Sequence, residues 1–323
     1  MDNALVLFET EPDFRGELER ALSGYKIIFN EKSDTGSIDA RTAENTTVIL
    51  GNPKSDFIRL CPRLKWLQLQ SAGTNTYVSG ELKETVLLTC ATGCYGLAVS
   101  EHMVALTFEL LKKLHLYRDE QSKGLWKDRG EVKSIQGAVV VTVGIGDIGS
   151  NYARRMKALG SYVIGVDVAA RVKPDYLDEF LLLGQLEGAL GRADVVALAV
   201  PGTKDTVGLI GRSQLAKMKK DAVIINGCRG TVIDTEALTG ALNSGAIGGA
   251  GLEVTEPEPL PPGHPLWKME NVIITPHVAG GRHLAQTTRN IMNLCVENAR
   301  RFVQGQPLES LVNYKTGYCF PKK

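Results

Sequence analysis

No apolar run in this 323-residue chain approaches the roughly 18 residues of a membrane-spanning helix. The N-terminus, MDNALVLFETEPDF, has no basic region leading into a long apolar segment, so no secretory leader is expected. Charge of one sign is not in excess: the net charge is +1, with lysines and arginines scattered. That leaves no footprint for nucleic acid or for an anionic membrane surface. Cysteine is sparse and dispersed. Cys61, Cys90, Cys94, Cys228, Cys295 and Cys319 supply no second pair, and no histidine pair stands near Cys90 and Cys94 to complete a metal site. No metal is expected, and the cysteines read as reduced, mostly buried thiols of a cytoplasmic protein. No G-x-S-x-G occurs, which removes the nucleophile turn of serine hydrolases. What remains is 43% hydrophobic and 23% charged residues, in a chain long enough for two domains with cores of their own.

The most informative stretch runs from Ala138 to Asp167, AVVVTVGIGDIGSNYARRMKALGSYVIGVD. A valine-rich run predicts a doubly buried parallel strand, and Gly144, Gly146 and Gly149 follow it in the spacing G-x-G-x-x-G. A helical pattern comes next (Ile148, Tyr152, Met156, Leu159), then a second apolar run that ends in Asp167. Gly144 permits the turn, Gly146 admits a pyrophosphate to the backbone, and Gly149 lets helix and strand pack closely. Amides near Asp147 and Ile148 would face the phosphates with the positive end of the helix dipole behind them. Asp167, placed to accept ribose hydroxyls, completes a dinucleotide site. It also favours NAD over NADP, because it repels a 2′-phosphate; Arg171 softens that preference without reversing it.

The first ninety-odd residues alternate strand and helix patterns, with strands expected at Ala4–Phe8, Lys26–Phe29, Thr47–Leu50, Leu64–Gln68 and Val86–Thr89. This predicts a smaller α/β unit. After its fourth strand, exposed amides around Ala72, Gly73 and Thr74 offer a nest for a small carboxylate, although from this loop alone a plain turn is the better reading. A single helix is expected over Leu97–Leu116, followed by an aperiodic polar arm, Arg118 to Lys133. His102, on that helix, reads as a packed structural histidine. Beyond Asp167 the next strands are expected at Ala193–Val200, Ala222–Asn226, Gly248–Val254 and Val272–Thr275, with a closing helix over Leu284–Gln304.

In an open parallel sheet all strands present their carboxyl ends to one edge, where ligands bind. Arg229, Glu258 and His277 each follow such an end. Taken singly, Arg229 reads as a surface arginine and Glu258 as a solvated acid. Taken together they suit hydride chemistry at a nicotinamide. Histidine moves the hydroxyl proton near neutral pH, a buried carboxylate beside it orients the ring and stabilises the imidazolium, and arginine grips a 2-oxo acid with two parallel donors.

The stretches VGIGDIG, IINGCRGTVIDTEAL, GAGLEVTEPEPLPPGHPLW and NVIITPHVAG are similar to those of the D-isomer-specific 2-hydroxyacid dehydrogenases. That family includes D-glycerate, glyoxylate/hydroxypyruvate and phosphoglycerate dehydrogenases. The resemblance covers nearly the whole chain and is strongest from Val99 to Arg282. It implies an α/β fold with a Rossmann-type doubly wound parallel sheet over residues 99–283. A smaller flavodoxin-like substrate domain would be assembled from residues 1–98 and 284–323. It also implies catalysis by Arg229, Glu258 and His277, and substrate binding by Ala72, Gly73, Thr74, Arg229 and His277 in a cleft between the domains. The implied NAD contacts are Gly144, Gly146, Asp147, Ile148, Gly149, Asp167, Val200, Pro201, Thr206, Gly227, Cys228, Arg229, Glu253, His277 and Gly280. A homodimer acting on a small 2-oxo or 2-hydroxy acid follows, with no nucleic-acid or membrane partner. Two residues depart from the family pattern. Glu253 stands where aspartate is usual for the nicotinamide carboxamide, and the loop S-A-G-V-D reads here Ser71-Ala72-Gly73-Thr74-Asn75. With so few residues after the last helix, the regulatory domain of some phosphoglycerate dehydrogenases is not expected here. A formate-type enzyme would carry glutamine at 258. An NAD(H)-responsive corepressor of the same fold is the alternative from another class.

Overall fold

In a computed structural model describing residues 1–319 apart from 32, 33, 81, 171 and 282, the chain divides into two compact units. One holds Met1–Tyr95 and the segment from Leu284 onward, the other Gly96–His283. Arg171 lies outside the described residues.

The first unit is built on five parallel strands: β1 (Asn3–Val6), β2 (Lys26–Phe29), β3 (Thr46–Leu50), β4 (Trp66–Gln68) and β5 (Leu87–Thr89). Their order, β2-β1-β3-β4-β5, is that of flavodoxin. Successive side chains of a strand point to opposite faces, and here both faces are covered. Ala4, Val6 and Phe8 pack with Phe14 and Leu18 of the helix Pro12–Ala21, and with Ile291, Cys295 and Ala299 of the helix Ala285–Val303. Leu5 and Leu7 join Ile49, Leu67, Leu69 and Leu88 on the other face. A buried polar network fixes the last helix to the sheet. Trp66 Nε1 donates to Thr89 Oγ1 at 2.8 Å, and the hydroxyl of Thr89 and the amide of Asn298 each donate to Gln68 Oε1, also at 2.8 Å. With every partner inside the protein, the network is fully satisfied where an unpaired amide would be costly.

The second unit carries seven parallel strands: β6 (Val139–Val143), β7 (Tyr162–Asp167), β8 (Glu179–Leu182), β9 (Val195–Leu198), β10 (Val223–Asn226), β11 (Gly249–Leu252) and β12 (Val272–Ile274). The order β12-β11-β10-β9-β6-β7-β8 reverses direction between β6 and β9. In a doubly wound sheet that reversal opens the crevice where ligands bind, just past the strand ends. Val141, Val143, Ile164, Val166, Val196, Leu198 and Ile224 form the middle of one continuous core.

The structure corrects two expectations from sequence. Strand β8 was not foreseen. It is an edge strand of four residues, partly exposed, and runs straight into a helical turn at Leu183, so the short apolar run at residues 180–183 is shared between strand and turn and shows no alternation. The single helix over Leu97–Leu116 is instead two, Gly96–Leu111 and Leu114–Ser122. The break falls at Lys113, which is left-handed at φ 57° and whose Nζ donates to Arg129 O at 2.6 Å. Leu114 continues the apolar spacing of the first helix in sequence, but beyond the break it is exposed. The arm from Arg118 is helical to Ser122, and Arg129 then pins it to Glu120 at 3.0 Å and Glu270 at 2.6 Å. All six cysteines are free and buried. Among the described residues no helix is long and apolar enough to cross a membrane.

Candidate active site

The three glycines after β6 occupy three different environments. Gly144 is left-handed (φ 90°), and a Cβ there would lie 2.6 Å from Ala199 O and 3.0 Å from Val200 Cγ1. A Cβ on Gly149 would lie 1.8 Å from Gly144 O, so the helix Asp147–Ala158 sits directly on the turn. Gly146, at the head of that helix, has nothing within 4 Å of its missing side chain. The first two are therefore closed by the protein itself, and the third leaves open the approach that a pyrophosphate takes to a helix N-terminus. The cradle fits a dinucleotide. Because the obstruction at Gly149 is backbone, Gly149→Ala should cost at least about 1–3 kcal/mol of overpacking and distort the loop. A fall in thermal midpoint together with lost NADH binding checks this; a variant that binds NADH normally refutes it.

Asp167, at the end of β7, is bound into the glycine loop itself. Its Oδ2 accepts the N–H of Ile145 at 3.0 Å and its Oδ1 that of Val168 at 2.7 Å. The same carboxylate thus ties the glycine loop to the neighbouring strand end. Asp147 anchors Asn151 through Oδ1 at 3.1 Å, with Ile148 following in the first helical turn.

After β9, Thr206 turns its hydroxyl inward, donating to Pro201 O at 2.7 Å and accepting from the Thr203 N–H at 2.9 Å. Its observed role is to shape the loop that carries Val200 and Pro201. After β10, Gly227 faces Met103, whose Sδ would be 2.6 Å from a Cβ. Cys228 is buried and donates its Sγ–H to Asn226 Oδ1 at 3.0 Å. Burial pushes its thiol up to about 11, so it stays protonated and is no nucleophile. Arg229 follows, its stem lying over Gly202 and its Nη1 donating to Cys228 O at 2.6 Å. Gly230 presses this loop onto the one after β11, since a Cβ would meet Thr255 O at 1.9 Å. That second loop carries Glu258.

His277 and Glu258 are paired, Nδ1 to Oε1, at 2.6 Å. The sequence reading placed a buried carboxylate here. The two side chains are instead 44% and 43% exposed, because Glu258 projects from a proline-rich surface loop. The pair orients the imidazole with Nδ1 toward the acid, and solvent screens its attraction. His277 is itself left-handed (φ 52°), a conformation that costs a non-glycine residue about 1–3 kcal/mol. Its N–H, shared between Glu253 O and Thr275 O at 3.0 Å each, helps hold it there. The turn continues through Gly280, with Gly281 N–H donating to Val278 O at 3.0 Å.

Glu253 was expected to meet a nicotinamide carboxamide. It is 2% exposed, and both its oxygens have donors inside the protein. Oε1 accepts the Ala279 N–H at 2.5 Å; Oε2 accepts the Thr275 hydroxyl and lies 3.2 Å from His102 Nε2. Burial raises this carboxyl, but the bonds from His102, Thr275 and Ala279 outweigh it and hold it below the usual carboxylate range. His102, expected from sequence to be a packing histidine, thus reaches the network around the His277 turn. It also lies 2.9 Å from Thr275 Oγ1. Nothing in the sequence near His102 signals a partner some 150 residues away.

In the first unit the loop at Ser71–Asn75 is firmly built. Gln70 N–H donates to Asn52 Oδ1 at 2.9 Å, Ser71 Oγ donates to Gly73 O at 2.8 Å, and Thr74 Oγ1 donates to Gly317 O. Among the described residues the amides of Ala72 and Gly73 have no hydrogen-bond partner.

Residues 104–279 match the model of the D-isomer specific 2-hydroxyacid dehydrogenase NAD binding domain. The chain is 32% identical over 258 residues to a glyoxylate reductase of Thermofilum pendens, covering 78% of this chain and 76% of that one. It superposes on a D-isomer specific 2-hydroxyacid dehydrogenase family protein of Aeromonas salmonicida with a TM-score of 0.85 at 27% identity, over 97% and 99% of the two chains. An NADPH-dependent glyoxylate/hydroxypyruvate reductase of Sinorhizobium meliloti, solved with NADP and sulfate, gives 0.80 at 26% identity over 98% and 100%.

Proposed function

Since the chain belongs to the D-isomer-specific 2-hydroxyacid dehydrogenase family, acting on CH–OH donors with NAD, we propose that Arg229, Glu258 and His277 carry its chemistry. The single observation that supports this most is the 2.6 Å pairing of His277 Nδ1 with Glu258. It leaves Nε2 as the nitrogen that gives a proton to a reduced carbonyl oxygen, or takes one from a hydroxyl. When bound, NAD supplies or accepts the hydride. Glu258 holds the ring's tautomer and steadies the imidazolium. Arg229 grips the carboxylate and carbonyl of the substrate through its fork of donors. The open amides of Ala72 and Gly73 are suited to a carboxylate. Gly144, Gly146 and Gly149 would receive the pyrophosphate and Asp167 the adenosine ribose. Glyoxylate and hydroxypyruvate are the substrates to try first, given the names of the relatives above. A panel of 2-oxo acids against NADH and NADPH tests the reading. No turnover of any 2-oxo acid by correctly folded, NADH-binding protein would return the corepressor-like alternative, which nothing in these relatives favours.

The arm supports a homodimer. Leu125 and Trp126 are exposed, Trp126 completely, on a segment that Arg129 ties to Glu120 and Glu270. A large aromatic held out in water by an ordered arm suits a partner surface. Light scattering at micromolar concentration should give twice the 35.0 kDa chain mass, and Trp126→Glu should reduce it. A monomeric wild type removes the proposal. Six free, buried thiols suit a reducing compartment, and we place the protein in the cytoplasm.

A further inference from the structure

We propose that His102 and Thr275 form, around the buried carboxylate of Glu253, a brace that positions the His277 turn, with His102 a positioning residue for the reaction. The proposal rests on the reading of His277 as the acid–base group. One carboxylate spans the turn: it accepts the Thr275 hydroxyl two residues before His277 and the Ala279 N–H two residues after it. The main chain of the same residue takes the His277 N–H at 3.0 Å. Residue 253 therefore holds the left-handed histidine from both flanks and from its own amide.

A buried carboxylate is tolerated only where its lone pairs are satisfied, and His102 completes the set at 3.2 Å. His102 comes from the helix Gly96–Leu111, which is well placed to act as a fixed platform. Its Met103 faces Gly227, and its Leu106 and Leu110 lie against Gly251 at β11. Gly227, just past β10, and Gly251, within β11, thus let the helix approach closely. The length of the side chain matters as well. An aspartate at 253 is one methylene shorter and would not bridge residues 275 and 279 together. With both oxygens committed within the protein, Glu253 serves the histidine turn before it serves the cofactor.

The test is a pair of double-mutant cycles. His102→Leu and Glu253→Asp are each made alone and in the His277→Ala background, with turnover measured beside NADH affinity by fluorescence. Misplacement of a catalytic group by about 1 Å costs on the order of 100-fold, so each single variant should lose roughly 10- to 100-fold in kcat. NADH affinity should stay within about twofold, and in the His277→Ala background the further loss should be under about twofold, since neighbours acting through one group are non-additive. Glu253→Gln, which keeps an acceptor for Ala279 and a polar partner for Thr275, should recover most of the turnover. If His102→Leu does not fold, Thr275→Val takes its place. Equal losses in both backgrounds would overturn the brace, as would a loss of NADH affinity large enough to account for the fall. Near-normal turnover in His277→Ala alone overturns the acid–base reading first, and the brace with it.

Discussion

His277→Ala should lower turnover by roughly 10²–10⁴-fold while leaving NADH binding nearly intact, the usual range when a positioned acid–base group is removed. The expectation follows from geometry. His277 is the residue at the end of β12 whose backbone is forced into a left-handed turn, and a neighbouring acid fixes its ring. Glu258→Gln then separates the ring's orientation from the acid's charge. Glutamine keeps a partner for Nδ1 without the charge, so turnover should fall less than in His277→Ala. A pair this exposed is worth about 0–1 kcal/mol, and the loss in Glu258→Gln should stay under about tenfold. Near-normal turnover in His277→Ala would make the pair structural. A loss in Glu258→Gln as large as that in His277→Ala would mean that the charge, and not the ring's orientation alone, is what the reaction needs.

Much of this was legible in the sequence, where local rules act alone. The glycine spacing after β6 and the valine-rich strands announce the doubly wound sheet, because turn, helix start and buried strand each need particular residues at particular positions. The doubly wound and flavodoxin-like arrangements came from the family resemblance, and the strand orders of the two units agree with them. The pairing of Glu258 with His277 came from strand-end logic and stands in the structure at 2.6 Å. Its exposure did not, because solvent access depends on where a proline-rich loop projects and not on its neighbours in sequence. The edge strand β8 escaped for a related reason: four partly exposed residues at a sheet margin are under little compositional demand. His102 is the most instructive case. Its helix is apolar on one face, which makes any polar residue there resemble a tolerated exception. Only the fold brings it beside Glu253 and Thr275, and a long-range polar network leaves no periodic trace.

Replacing Asp167 should move cofactor preference toward NADPH, and the two bonds seen at its carboxylate decide which replacement is informative. Two unit charges 4 Å apart interact by about 4 kcal/mol at an effective dielectric near 20, so removing the charge has a ceiling near 10³-fold per unit charge on the 2′-phosphate. Solvent and salt around an adenosine ribose reduce this, and a shift of about 10- to 100-fold in the ratio of kcat/KM values for NADPH and NADH is expected. Asp167→Ala alone is ambiguous, because it also deletes the acceptor that holds Ile145 N–H at 3.0 Å and so loosens the glycine loop on which both cofactors depend. Asp167→Asn removes the charge and keeps an acceptor oxygen for that amide. The asparagine variant should therefore shift the ratio while retaining more of its NADH activity than the alanine variant. The gap between the two would measure the loop-bracing role, since the repulsion is absent from both. If the ratio fails to move in Asp167→Asn, the carboxylate does not face the 2′ position, and its bonds to Ile145 and Val168 mark it as a brace of the glycine loop.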